Sequence, residues 1–234
     1  MSKSMENRRI ASPYCGLIYK EWLKLRFICW LPFVLAFAVL AYSYFEMLGV
    51  QTAHGGVALW RMVVFKDEMP FKPIKYIPLV SGILIGAAQW LPETLNKKIR
   101  VFLHLPVNQY VALGLSLGVG LLFMIAISLL LIFGEGYLST KFLPHEVSIY
   151  IMQTIVPWCI AGVIGYVVIA MTLIETKFVA RLLCACVGAV FLKALFASDV
   201  YGTYINSSLY FVLVVLALLV AMFSLLDRVK RSRA

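Results

Sequence analysis

The chain has 234 residues, 62% of them hydrophobic and 14% charged, with a formal net charge of +10. Its mean hydropathy of +0.92 excludes an ordinary soluble domain, where apolar residues are about half of the total. The Lys and Arg residues cluster beside apolar runs and carry no nucleic-acid-binding signature, so the charge belongs to membrane topology.

Residues 1–11 are polar and read as disordered. Ser12-Pro13 reads as a helix start, a side-chain oxygen followed by proline at the first helical position. Tyr14, Ile18, Trp22 and Leu25 then recur at helical spacing, with Lys20, Glu21 and Lys24 off that line. This predicts an amphipathic interfacial helix over 12–26, with Trp22 at headgroup level, or else a cytosolic extension of the first span.

Apolar runs predict six membrane spans at 27–45, 76–91, 107–133, 149–174, 178–197 and 209–226, the first of them long enough for a hydrocarbon core of about 30 Å. Pro32 is expected to kink the first. Residues 46–75 read as an outer loop whose apolar piece, Val57–Phe65, is too short to cross and predicts a half-buried interfacial or re-entrant segment. Gly82-x-x-x-Gly86, Gly114-x-x-x-Gly118 and Ala161-x-x-x-Gly165 offer close helix–helix approach. Gly134-Glu135-Gly136-Tyr137 reads as a helix break at the outer end of the third span.

Between the second and third spans lies a polar island, 92–106. Pro92 sits where a first turn would begin, and Leu95, Ile99 and Phe102 form one apolar stripe, with Thr94, Lys97 and Lys98 pointing elsewhere. Pro106 ends the segment. A basic amphipathic helix placed there lies on the membrane surface or docks on a soluble partner. With the N-terminus inside, inner segments hold fifteen Lys/Arg and outer segments five, which places both termini in the cytoplasm. The whole of 1–234 then reads as one all-α transmembrane domain.

Catalytic and metal chemistry is sparse. The five cysteines, at 15, 29, 159, 184 and 186, are odd in number, and Cys184-x-Cys186 lacks the spacer of a redox or zinc motif, so packing is the expectation. His54, His104 and His145 are scattered, which predicts no metal site. Lys193 lies inside the fifth span, roughly 7 Å from its outer end at about 1.5 Å per residue, within snorkelling reach; a place on a substrate path is the alternative. Glu135, Glu175 and Asp199 fall at span ends. Neither a catalytic constellation nor a nucleotide-binding loop is present in the sequence. Energy for uphill transport would have to come from another chain.

The segment Tyr19-Lys-Glu-Trp-Leu-Lys-Leu-Arg26 leading into the first span, and the Glu93…Phe102-Leu-x-Leu-Pro-Val107 text after the second, resemble the permease subunits of type-2 ABC transporters, in the six-span branch typified by Glu-x-x-x-x-Thr-Leu-x-x-Leu-Leu-x-Leu-Pro-Val-Ser. Lys97-Lys98-Ile99 stands where Gly-Thr-Leu is usual, and Asn108-Gln109 replaces Ser-Arg. The resemblance implies a non-catalytic permease, an exporter in the cell (cytoplasmic) membrane, paired with itself or a related permease and bound to a cytosolic ABC ATPase dimer that carries the ATP and Mg. It implies that 92–106 is the coupling helix, with Glu93, Asn96, Lys97, Lys98, Arg100, Phe102 and His104 facing the ATPase. Lys20, Glu21, Trp22 and Lys24 would lie on the inner leaflet among membrane lipids. No cofactor in this chain and no nucleic acid are implied. An alternative is a membrane subunit that passes ATP-driven motion to a periplasmic or extracellular accessory protein without carrying a solute; a third is an intramembrane enzyme.

Overall fold

A computed structural model describes the backbone of residues 2–65, 69–95, 108–175, 177–198, 200–204 and 206–231, with side chains from residue 14 to residue 225 of these ranges, Val64 and Leu95 excepted. The elements in chain order are α1 (Ser2–Leu25), α2 (Trp30–His54), α3 (Gly56–Phe65), a 3₁₀ turn at Lys72–Tyr76, α4 (Ile77–Leu95), α5 (Gln109–Ser139), α6 (His145–Ile174), α7 (Phe178–Leu195) and α8 (Ser208–Arg231). No strand occurs among the described residues.

Six stretches are long and apolar enough to cross a membrane: Trp30–His54, Lys72–Thr94, Gln109–Ser139, His145–Ile174, Phe178–Leu195 and Ser208–Leu225. They correspond one for one to the six expected spans and make this a multi-pass membrane protein.

The bundle is built around α6. Its apolar stretch is 78% buried, against 11% for those of α7 and α8, because α4, α5, α7 and α8 all pack on it. The tightest seam is α4 on α6. A Cβ added at Gly82 would stand 2.1 Å from the carbonyl oxygen of Gly162, and one at Gly162 would stand 2.5 Å from that of Pro78. The two backbones therefore touch, which only glycine permits. On α6 the contact is made by Gly162 and Gly165, whereas Ala161 turns toward Ile164, Val168 and Leu195. Gly114 and Gly118 of α5 make no such approach: the nearest atom to a Cβ at Gly114 is Phe223 Cζ at 3.9 Å, and Gly118 meets nothing within 4 Å.

Several local expectations are corrected. The helix of α1 begins at Ser2 and runs through Ser12 and Pro13, so these residues do not cap it, although an interior proline costs a helix about 3 kcal/mol. Its face on the bundle is Leu17, Glu21 and Leu25, while Ile18 and Trp22 are exposed. Trp22 stacks on Phe123 of α5 with ring centroids 5.8 Å apart. The first span starts at Trp30, so Pro32 falls in its first turn, where no backbone donor is lost. It continues to His54, and Gly55 at φ +78° ends it. Val57–Phe65, expected as a half-buried interfacial or re-entrant segment, lies in a helix, α3, with Leu59 and Val63 buried and Val57 and Phe65 exposed. Helix α4 passes through Pro92 to Leu95, so Pro92 is in the last turn of α4 and does not open a new helix.

Helix α5 likewise runs unbroken through Gly134-Glu135-Gly136 to Ser139. Those glycines serve packing: a Cβ at Gly134 would strike Leu40 of α2, and one at Gly136 would strike Met152 of α6. Asn108 starts α5 by accepting the N–H of Tyr110 at 3.1 Å. At the far end of the bundle, buried Lys75 donates to the carbonyl of Phe196 at 3.1 Å, capping the C-terminus of α7. Phe71 there sits between Trp158 and Tyr201.

Candidate functional site

Of the residues singled out in the sequence, Lys20, Glu21, Lys24 and Glu93 come together, and with Gln89 and Tyr166 they form one largely buried cluster. Helix α1 presents Lys20, Glu21 and Lys24; α4 presents Gln89 and Glu93 one helical turn apart; α6 contributes Tyr166. Lys20 Nζ stands 2.7 Å from Glu93 Oε1, and Lys24 Nζ stands 2.5 Å from the same oxygen. Lys24 also holds Glu21 Oε1 at 2.7 Å. Glu21 Oε2 accepts Gln89 Nε2 at 3.0 Å, and the same amide donates to the Ser116 carbonyl of α5 at 2.5 Å. Tyr166 Oη closes the chain by donating to Gln89 Oε1 at 2.8 Å.

Four helices therefore meet through one connected set of hydrogen bonds, and its two ammonium groups balance its two carboxylates. That balance matters because Gln89 and Tyr166 are fully enclosed and Glu21 is only 2% exposed. An unpaired charge at such depth would cost several kcal/mol, and a half-satisfied network would be worse than an apolar one. Space for the cluster comes from Gly120 of α5, where a Cβ would stand 2.2 Å from Tyr166 Oη and 2.6 Å from Gln89 Oε1. Glu93 is 5% exposed and is spent on α1.

Asn96, Lys97, Lys98, Arg100, Phe102 and His104 lie outside the described residues. Lys193 is exposed in the last turn of α7. Among the described residues no group of three His, Cys, Asp or Glu side chains is placed to hold a metal.

A second buried polar pair was not anticipated. Glu135 is completely enclosed, and its Oε1 accepts the hydroxyl of Ser43 of α2 at 2.7 Å. Its Oε2 has no hydrogen-bond partner among the described residues. Sequence reading set Glu135 at a wet span end because it took the flanking glycines for a break; the unbroken helix carries it inside. Gln89, Tyr166 and Gly120 were missed as well. Their only sequence signal is polarity, or a missing side chain, within an apolar run.

No family model, curated protein or solved structure matches this chain.

Proposed function

We propose that the chain is the membrane-spanning permease subunit of an ATP-driven transporter of the ABC type, an exporter in the cytoplasmic membrane with both termini inside. In this reading it binds no nucleotide itself; ATP and Mg belong to a cytosolic ATPase dimer, and a second copy or a related permease completes the membrane part. The observation that supports it is the junction of Lys20 and Lys24 with Glu93. It ties the N-terminal helix to the last turn of α4, at the start of residues 92–106, the segment that the reading assigns to the ATPase.

A pull on that segment would reach Glu93 and move α1 with it. Through Glu21, Gln89 and Tyr166 the same displacement would reach α5 and α6, the centre of the bundle. A charge-balanced, hydrogen-bonded cluster suits this task because its bonds link the four helices and move together. Its members are acids, ammonium groups, an amide and a phenol that hold four helices at one point, which favours transmission of movement over catalysis.

The test is to purify the tagged chain from its native host in mild detergent and identify its companions by mass. A stoichiometric subunit with a nucleotide-binding loop is expected; a clean preparation without one would overturn the reading. In the assembled complex, Glu93→Ala and charge reversal of Lys97 and Lys98 should each lower ATPase binding or turnover. Unchanged binding and turnover in both would count against the coupling role.

A further inference from the structure

Helices α2 and α5 touch closely at Gly134, into which Leu40 is seated. Beside this contact the side chains splay and leave a groove of about 420 Å³, within the range of about 300–1,000 Å³ typical of ligand sites. Its lining is apolar throughout and includes Phe37, Tyr44, Leu130 and Tyr137. Both helices are membrane-crossing by length and composition, so the groove opens toward hydrocarbon.

The groove is not uniform along its length. Toward Phe37 and Leu130 it is bare hydrocarbon and benzene ring. Toward the C-terminal end of α5 it carries tyrosines, with Tyr44 packed on Phe142 at 5.6 Å and Tyr137 64% exposed. Just past that end Lys141 holds its Nζ 4.8 Å from the centre of the Tyr137 ring. Lys141 is exposed and pairs with no carboxylate among the described residues. Glu46 of α2 is engaged by Tyr42, and Glu146 belongs to the first turn of α6. An apolar trough that ends in tyrosines and an exposed ammonium group with no carboxylate partner among the described residues matches a molecule with a long hydrocarbon tail and an anionic head.

We infer that the groove between α2 and α5 is a binding site for one anionic phospholipid, with an acyl chain along Phe37, Leu40 and Leu130 and the phosphate at Lys141. The inference is independent of the permease reading and requires only that α2 and α5 lie in a membrane.

The experiment uses the full chain, stripped of lipid in detergent and then offered equal amounts of phosphatidylglycerol and phosphatidylcholine. Native mass spectrometry counts the lipids retained. One lipid per chain is expected, with phosphatidylglycerol favoured about fivefold, the effect of one lysine at a membrane surface. Lys141→Gln should abolish the preference while a lipid is still retained. Ala41→Phe, at an exposed position in the lining, should remove the retained lipid. Equal retention of both lipids by the unaltered chain would overturn the proposal. So would a preference untouched by Lys141→Gln, or loss of a chain–chain dimer in Ala41→Phe, which would make the occupant a second copy.

Discussion

Two identical glycine motifs in this chain should respond in opposite ways to the same substitution. Gly82→Ala places a methyl group 2.1 Å from the Gly162 carbonyl oxygen, 3.0 Å from its carbon and 3.1 Å from the Tyr166 nitrogen. All three are backbone atoms that no rotamer change can remove. Ordinary contact begins near 3.4 Å, so α4 and α6 must part by about 1.3 Å over the seam that holds the bundle together. Overpacking of this kind costs about 1–3 kcal/mol, occasionally more, and at roughly 2–4 °C per kcal/mol for a chain of this size the melting midpoint should fall by several degrees. Gly118→Ala meets nothing within 4 Å and gains helix propensity of up to about 1 kcal/mol, so its midpoint should hold or rise slightly. Gly120→Ala should resemble Gly82→Ala in direction, since it meets Tyr166 and Gln89, but a side chain can yield where a backbone cannot. The assay is thermal unfolding of the purified chain in one detergent, with size-exclusion profiles to confirm a common starting state. Equal midpoints for the Gly82 and Gly118 variants would refute the α4–α6 packing.

Three further outcomes follow from buried groups. Ser43→Ala removes the donor that Glu135 has among the described residues and should destabilise by about 1–3 kcal/mol; in a Glu135→Leu background the same change should cost close to nothing, and equal costs in the two backgrounds would exclude the pair. Glu93→Gln leaves Lys24 with Glu21 alone and weakens the hold on α1. The Lys20 contribution is at most about 1 kcal/mol because that side chain is 44% exposed, so the readout is faster protease cleavage after Lys20 and Lys24, and an unchanged rate would refute the tie. Burial pushes the Cys29 thiol above its ordinary range, whereas Cys15 is exposed. At neutral pH a maleimide should therefore modify Cys15 well before Cys29, and the Cys29 rate should climb as pH rises and the thiolate forms. Equal rates at neutral pH would mean that the turn between α1 and α2 is open.

How much of this was legible beforehand differs between fold and site. Composition and hydropathy determined the class and the six crossing helices, because a bilayer requires an apolar run of a certain length and such a run is a sum over neighbouring residues. Lys20, Glu21, Lys24 and Glu93 were also legible as charges flanking the first two spans. Their mutual pairing was not, since it depends on how α1 and α4 are rotated about their own axes. The same limit explains the glycines. Gly82-x-x-x-Gly86 and Gly114-x-x-x-Gly118 are equivalent as text, yet only the first faces a neighbour whose backbone is also bare. It explains Glu135 too: flanking glycines read locally as a break, and only the approach of Leu40 and Met152 from two other helices turns them into packing surfaces. Local sums of hydropathy thus decided what crosses the membrane, while tertiary structure decided which polar atoms inside it found each other, because a buried hydrogen bond joins residues such as Glu21, Gln89 and Tyr166 that no sequence window contains.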